Sequence, residues 1–143
     1  KSLRRDFNIK NPKIAVSSLN PHSGEEGSIG NEEVKTIVPC INNLKKMGMK
    51  IEGPLPADTL FYKKSLNKFD ARICMYHDQA LIPLKTLDFY GGINYTAGLS
   101  FVRTSPDHGT AFNLAGKNKA NPKSFIYAIN QAFIISKNRK INE

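Results

Sequence analysis

The chain has 143 residues, of which 40% are hydrophobic and 23% charged, and a formal net charge of +9. That length carries one ordinary domain with a real core, and no apolar run approaches the roughly 20 residues of a membrane span. The basic residues gather at the two ends (Lys1, Arg4, Arg5, Lys10 and Lys13; Lys137, Arg139 and Lys140) without interleaved aromatic rings, so the charge reads as surface and argues against nucleic-acid or membrane partners.

The elements predicted along the chain alternate strand and helix. Leu3, Phe7 and Ile9 precede the first strand like the remainder of a helix, and the chain opens on Lys1, not on methionine, so it reads as the C-terminal portion (1–143) of something longer. Ile14-Ala15-Val16 is a buried strand by its apolar run and the turn residues after it. Asn20 to Gly30 is a loop rich in Pro, Gly, Ser and Glu. Asn31 then caps a helix with Val34, Ile37, Val38, Ile41 and Leu44 on its apolar face. Glu32 and Glu33 sit at its positive end, Lys45 and Lys46 at its negative end, Pro39 predicts a kink and Gly48 a stop. Met49 to Ile51 is extended, Thr59 to Leu66 a short helix, and Ala71 to Tyr76 a second buried strand. Gln79 to Leu87 is helical despite Pro83, and Ile93 to Tyr95 and Ser100 to Val102 are extended. Asn121-Pro122 starts a last helix reaching about Lys137, with Phe125, Ile126, Ile129, Phe133 and Ile134 on its apolar side. Cys40 and Cys74 have no metal or redox spacing and read as reduced core thiols of a cytoplasmic protein.

The three histidines, His22, His77 and His108, fall in loops, not in core segments. Open α/β sheets place ligands at strand ends, and two histidines fit that plan. His22 follows the first strand in Asn20-Pro21-His22-Ser23-Gly24-Glu25, and His77 ends the strand of Ala71 to Tyr76 in Met75-Tyr76-His77-Asp78-Gln79. Neighbouring carboxylates and amides (Glu25, Asp78, Gln79) can orient an imidazole that binds a metal. A catalytic metal commonly takes three protein ligands, so two histidines make an incomplete set. His108 sits in a small-residue segment, Asp107-His108-Gly109-Thr110-Ala111, that lets backbone approach a ligand closely. Lys85, Asn94 and Arg103 together suit a phosphate or carboxylate.

Four stretches carry a resemblance: Leu19 to Glu25, Gly53-Pro54-Leu55-Pro56-Ala57-Asp58-Thr59, Met75 to Gln79, and Arg103-Thr104-Ser105-Pro106-Asp107-His108-Gly109-Thr110-Ala111. In order and spacing they closely resemble the 4-hydroxythreonine-4-phosphate dehydrogenase family of pyridoxal phosphate biosynthesis. The resemblance implies oxidation of 4-phosphooxy-threonine by NAD or NADP, dependent on a divalent metal (zinc, magnesium or cobalt), to a 3-oxo acid that decarboxylates. It places His22 and His77 on two of three metal-ligand histidines, and Lys85, Asn94 and Arg103 on substrate-binding residues. The third metal histidine and a further substrate-contacting pair belong to the N-terminal half, which this chain lacks, and the site is shared across a homodimer. The residues do not identify the general base: Asp78 is a candidate, and an orienting role beside the histidine is an equal alternative.

The stretch from His108-Gly109-Thr110 through Ala120-Asn121-Pro122 is similar to the adenine-side loop of isocitrate and isopropylmalate dehydrogenases. That assigns it to the dinucleotide and implies their three-layer α/β/α fold. Ser28 and Ala80 depart from common family residues (a second loop histidine and a glycine) without removing any assigned group. Two alternatives stand beside this reading: a sister dehydrogenase for phosphorylated erythronate or threonate, and a non-catalytic ligand-binding fragment. The chain alone is expected to be inactive.

Overall fold

A computed structural model describes residues 1–142. The chain divides into two compact units, one of Ile9–Pro83 and one of Lys1–Asn8 with Leu84 onward.

The first unit is built on a parallel sheet of order β2-β1-β3, with β1 at Lys13–Ser17, β2 at Lys50–Leu55 and β3 at Ala71–Ile73. β1 is the central strand, and alternate side chains of a strand point to opposite faces. Ala15 accordingly packs with Leu60 and Phe69 on one face, and Val16 with Ile41 and Ile51 on the other. Burial on both faces explains why β1 reads as a continuous apolar run. β2 lies so near β1 that a Cβ on Gly53 would stand 2.6 Å from the Val16 carbonyl oxygen, which glycine alone avoids.

The helix expected from Asn31 begins differently. Glu33–Ile37 forms a wide turn in which Val38 donates to the Glu33 carbonyl, and the regular helix α2 occupies Val38–Lys46. Pro39 causes this: its ring would press on the carbonyl one turn back and it has no N–H to donate there, so an inserted residue widens the turn. No side-chain cap from Asn31 forms, Val34 is exposed, and Glu33 is buried instead of lying in solvent at the helix start. The stop is as expected: Gly48 takes φ +82°, and Met49 donates back to the Leu44 carbonyl at 3.1 Å.

Two further boundaries shift. Thr59 to Leu66 contributes one helical turn, α3 (Lys63–Leu66), and β3 ends at Ile73, ahead of the expected Tyr76. Arg72 donates to the carbonyls of Leu60, Ser65 and Phe69, tying α3 to β3. Cys40 is exposed, contrary to expectation, because it faces away from the Ile41 side of α2; Cys74 is half-buried, and burial pushes its thiol up.

The helix α4, His77–Leu87, starts in the first unit and ends in the second. The second unit also holds α1 (Ser2–Arg5), an antiparallel ribbon of β4 (Ile93–Tyr95) and β5 (Thr104–Pro106), and α5 (Lys123–Asn142). Ser100 to Val102, expected extended, leads into β5 without pairing. Asn121 caps α5, its Oδ1 accepting from the Lys123 N–H at 3.0 Å, and the helix outruns the expected Lys137.

The buried face of α5 overturns the expected one. Ser124, Ala128, Ile135 and Arg139 are inside, while Phe125, Ile126, Ile129, Phe133 and Ile134 are all exposed. Small residues let α5 approach the ribbon closely: the Thr104 hydroxyl donates to the Ala128 carbonyl at 2.8 Å. A two-stranded ribbon is too narrow to cover the wider apolar face. Arg139, read from sequence as surface charge, is buried against Asp6. Among the described residues no helix is long and apolar enough to cross a membrane.

Candidate active site

Because β1, β2 and β3 are parallel and adjacent, the segments leaving their carboxyl ends emerge at one sheet edge. His22 leaves β1, Asp58 leaves β2 and His77 leaves β3. A cavity of about 340 Å³ opens there, lined by Asn20, His22, Asp58, Tyr76 and Gln79 among others. His77 is the first residue of α4, at the start of a helix instead of within a loop; its neighbours Tyr76 and Gln79 reach the cavity wall.

Both imidazoles are exposed and both make the same kind of contact. His22 Nδ1 lies 2.7 Å from a Glu25 carboxylate oxygen, and His77 Nδ1 lies 2.7 Å from one of Asp78. A carboxylate only accepts, so each Nδ1 carries a proton, and in the neutral imidazole Nε2 keeps its lone pair. This is the tautomer a metal-binding imidazole needs, fixed by an outer carboxylate. The donor set therefore fits a divalent cation. It is incomplete: among the described residues no group of three or more His, Cys, Asp or Glu side chains could hold a metal ion. The Glu25 hydrogen bond and charge, with Asp58 adding a smaller attraction, raise the His22 pKa above its ordinary value.

The turn carrying His22 has an unusual backbone. His22, Ser23, Glu25 and Glu26 all take φ between 42° and 58°, with Gly24 and Gly27 also at positive φ. The left-handed conformation costs roughly 1–2 kcal/mol for a residue bearing a Cβ. Such strain collects at functional sites when surrounding contacts enforce it. Here they come from Glu33, whose Oε1 accepts from the backbone N–H groups of Leu19 and Asn20 (both 2.8 Å) and whose Oε2 accepts from Asn20 Nδ2 at 2.8 Å. Burial pushes the Glu33 carboxyl up, but these hydrogen bonds outweigh it and hold the group below its ordinary range. Gln79 is a second tie. Its Nε2 donates to the Ser18 carbonyl at 2.7 Å and its Oε1 accepts from the Met75 N–H at 2.8 Å, joining the exits of β1 and β3.

The other expected site residues belong to the second unit. Asn94 Nδ2 donates to the Pro106 carbonyl at 3.3 Å, and Arg103 donates to the Thr96 hydroxyl at 2.9 Å. Lys85 donates to the Asp107 backbone carbonyl at 3.2 Å and pairs with the Asp107 carboxylate, whose side chain is only 2% exposed. An ammonium has three donors, so two are spent on Asp107 and one is left, with the Phe89 ring centroid 5.0 Å from Nζ. Lys85 thus has a structural duty that sequence reasoning missed. Lys85→Met is expected to cost about 2 kcal/mol, below the usual 3–5 for a fully buried pair because Lys85 keeps some water. Adding Asp107→Asn should recover most of that loss in urea unfolding, since the buried charge is then gone.

His108, Gly109 and Thr110 lie beside two open cavities of about 450 and 630 Å³. His108 borders both, with Phe89, Tyr90 and Leu114 supplying apolar walls to the first. His108 Nδ1 is 2.9 Å from the Gly109 carbonyl, so that nitrogen carries the proton. Ala111 (φ 47°), Gly116 (φ 71°) and Asn118 (φ 52°) turn the backbone sharply around this space. A flat aromatic ring system suits such walls.

Comparison with known proteins adds to this geometry. The family model described as pyridoxal phosphate biosynthetic protein PdxA matches residues 1–132. A 4-hydroxythreonine-4-phosphate dehydrogenase of Caulobacter vibrioides is 51% identical over 140 residues, 98% of this chain and 42% of that protein. One from Roseobacter denitrificans is 56% identical over 131 residues, 92% of this chain and 40% of that protein. A crystal structure of the Klebsiella pneumoniae 4-hydroxythreonine-4-phosphate dehydrogenase superposes with TM-score 0.82 at 45% identity, covering 94% of this chain and 40% of that one. A terephthalate 1,2-cis-dihydrodiol dehydrogenase from Burkholderia xenovorans superposes with TM-score 0.61 at 26% identity, over 90% of this chain and 41% of that one. The chain therefore spans about two-fifths of the length of the relatives it matches, and the α/β dehydrogenase fold implied by the sequence motifs is the fold found.

Proposed function

This chain belongs to the pyridoxal phosphate biosynthetic protein PdxA family, and from that premise we propose that it is the C-terminal portion of a metal-dependent, NAD- or NADP-linked 4-hydroxythreonine-4-phosphate dehydrogenase acting in the cytoplasm. The observation that carries the proposal is the shared edge of the parallel sheet, where His22 and His77 each have Nδ1 held by a carboxylate.

In this reading His22 and His77 hold a divalent cation (zinc, magnesium or cobalt) through Nε2, and a third ligand comes from outside the described residues. When bound, the cation supplies Lewis acidity toward the oxygen of the substrate's secondary alcohol and of the ketone it becomes. Lys85, with its remaining donor, Asn94 and Arg103 anchor the phosphate, so that binding energy far from the reacting carbon orients it. His108, Gly109 and Thr110, which border the two cavities of the second unit, flank the space for the adenine end of the dinucleotide. Asp78 is the candidate base for the hydroxyl proton, in competition with its orienting contact to His77. The whole protein is a homodimer that shares its site between subunits.

The test is turnover by a protein of the relatives' full length. Reduced nicotinamide should form with 4-phosphooxy-threonine only when a divalent metal is present, and this chain alone should give none. Turnover with phosphorylated erythronate or threonate in its place would favour a sister dehydrogenase. The fold shared with a dihydrodiol dehydrogenase at 26% identity makes that alternative specific, since related chains of this fold are named for different substrates. Binding of ligands without turnover in the full-length protein would leave only a binding module.

A further inference from the structure

Glu33 is a buried carboxylate on the wide turn before α2, at a position where a helix facing a core ordinarily carries an apolar residue. It is 2% exposed, and among the described residues no lysine or arginine pairs with it; its acceptors are taken up by neutral N–H groups of Leu19 and Asn20. A buried charge satisfied in this way is costly to keep, and it is retained where it orders the groups that satisfy it. Those groups are the two residues that lead into the left-handed His22 turn. The turn also rests on the same carboxylate further along: Gly24 is buried, and a Cβ there would stand 2.8 Å from Glu33 Oε2. Glu33 therefore holds the turn by hydrogen bonds at Leu19-Asn20 before His22, and its carboxylate stands so close to position 24 after it that only glycine fits there.

We propose that Glu33 is the positioning residue of the His22 turn, its buried carboxylate enforcing the left-handed backbone that presents His22 at the shared exit of β1 and β3. What the positioned imidazole then does rests on the metal reading above; the positioning itself does not. Glu33 touches no reacting group, and its effect reaches the site through Leu19, Asn20 and Gly24. The wide turn forced by Pro39 is what brings this side chain inward, so the proline and the loop are parts of one arrangement.

The experiment uses this chain with two variants: Glu33→Leu, which keeps bulk and removes the acceptors, and Glu33→Gln, which keeps one acceptor oxygen for the Leu19 and Asn20 N–H groups. Amide exchange is followed without metal, and zinc ion is then titrated while the ring nitrogens of His22 and His77 are observed by NMR. In Glu33→Leu the Asn20 amide should exchange about tenfold faster or more, while the core amides of Val16 and Ile41 stay protected. Zinc affinity should fall about tenfold to a hundredfold, the range for groups that orient a metal ligand. Glu33→Gln should recover most of both effects. Unchanged Asn20 exchange in a folded Glu33→Leu chain overturns the proposal. So does loss of core protection along with the loop's in both variants, which would make Glu33 a residue of the fold as a whole. If wild-type chain takes up no zinc while Asn20 exchange still depends on Glu33, the positioning role stands on the exchange alone, and the metal reading is decided by turnover of the full-length protein, where a third ligand is available.

Discussion

Replacing His22 or His77 with alanine in the full-length protein is expected to abolish metal-dependent turnover and leave the fold intact. Neither imidazole is part of the core, and each has only its adjacent carboxylate as a side-chain partner among the contacts described. Exposed substitutions of this kind change stability by about 0.5 kcal/mol or less. On the proposed metal reading the activity loss is of another order, because a site with three protein ligands loses one outright. It should exceed the 10–100-fold typical of removing an outer partner, which is the loss expected for Glu25→Gln. Asp78→Asn separates two roles. If Asp78 only orients His77, its loss matches that of Glu25→Gln and the acidic limb of the pH–rate profile stays in place. If it is the general base, the loss is larger and that limb disappears. Substantial turnover by either histidine variant would end the metal reading.

What the sequence disclosed and what it hid divide along a physical line. β1 was legible because a central parallel strand buries both faces and becomes an unbroken apolar run. The Gly48 stop and the Asn121-Pro122 start were legible because caps are local chemistry, decided within one turn. The edge shared by His22 and His77 was also readable, since strand ends in such sheets converge. Glu33 was misread because a glutamate at a helix start has an ordinary explanation in the helix dipole, and nothing local shows that Pro39 rotates it inward. Asp58 stood within a recognised stretch but acquired a place beside His22 only once β2 was known to be parallel to β1. The α5 error has a different origin. Periodicity reports the face a helix would bury in its full surroundings, and the ribbon of this unit covers only the strip of small residues. The structural contact of Lys85 was not legible, because its partner Asp107 lies 22 positions away and carries no spacing signal.

The contact most hidden in the sequence is the one expected to matter most for stability. Asp6 is fully buried and receives Arg5 Nε and Arg139 Nε, each at 2.8 Å, together with the Tyr95 hydroxyl. Asp6 and Arg139 are 133 positions apart, so no periodicity could pair them. Arg139 also donates to the carbonyls of Leu99 and Ser100, so the guanidinium is locked in place with its side chain 7% exposed. Asp6→Ala leaves that cation buried without a counter-charge and is expected to cost about 3–5 kcal/mol, against about 1.5–3 for the Tyr95→Phe loss of one hydrogen bond to a charge. Adding Arg139→Leu to Asp6→Ala should cost much less than the sum of the single changes, because the stranded charge is removed with it. Hydrogen exchange at the Ile135 and Arg139 amides of α5 reads these losses directly. The pH dependence follows from the same contact. Burial pushes the Asp6 carboxyl up, but the hydrogen bonds from Arg5, Arg139 and Tyr95 and the Arg139 charge overcome it and hold the group well below its ordinary value. A lowered carboxylate pKa contributes stability that is full above the unfolded value of about 3.9 and is lost as pH falls below it toward the native value. Wild-type protection of α5 should therefore decline on acidification below about pH 4, and Asp6→Ala should show that part of the decline removed. An Asp6→Ala chain with wild-type protection near neutral pH would show that the buried pair contributes nothing net, its attraction cancelled by the desolvation of both ions.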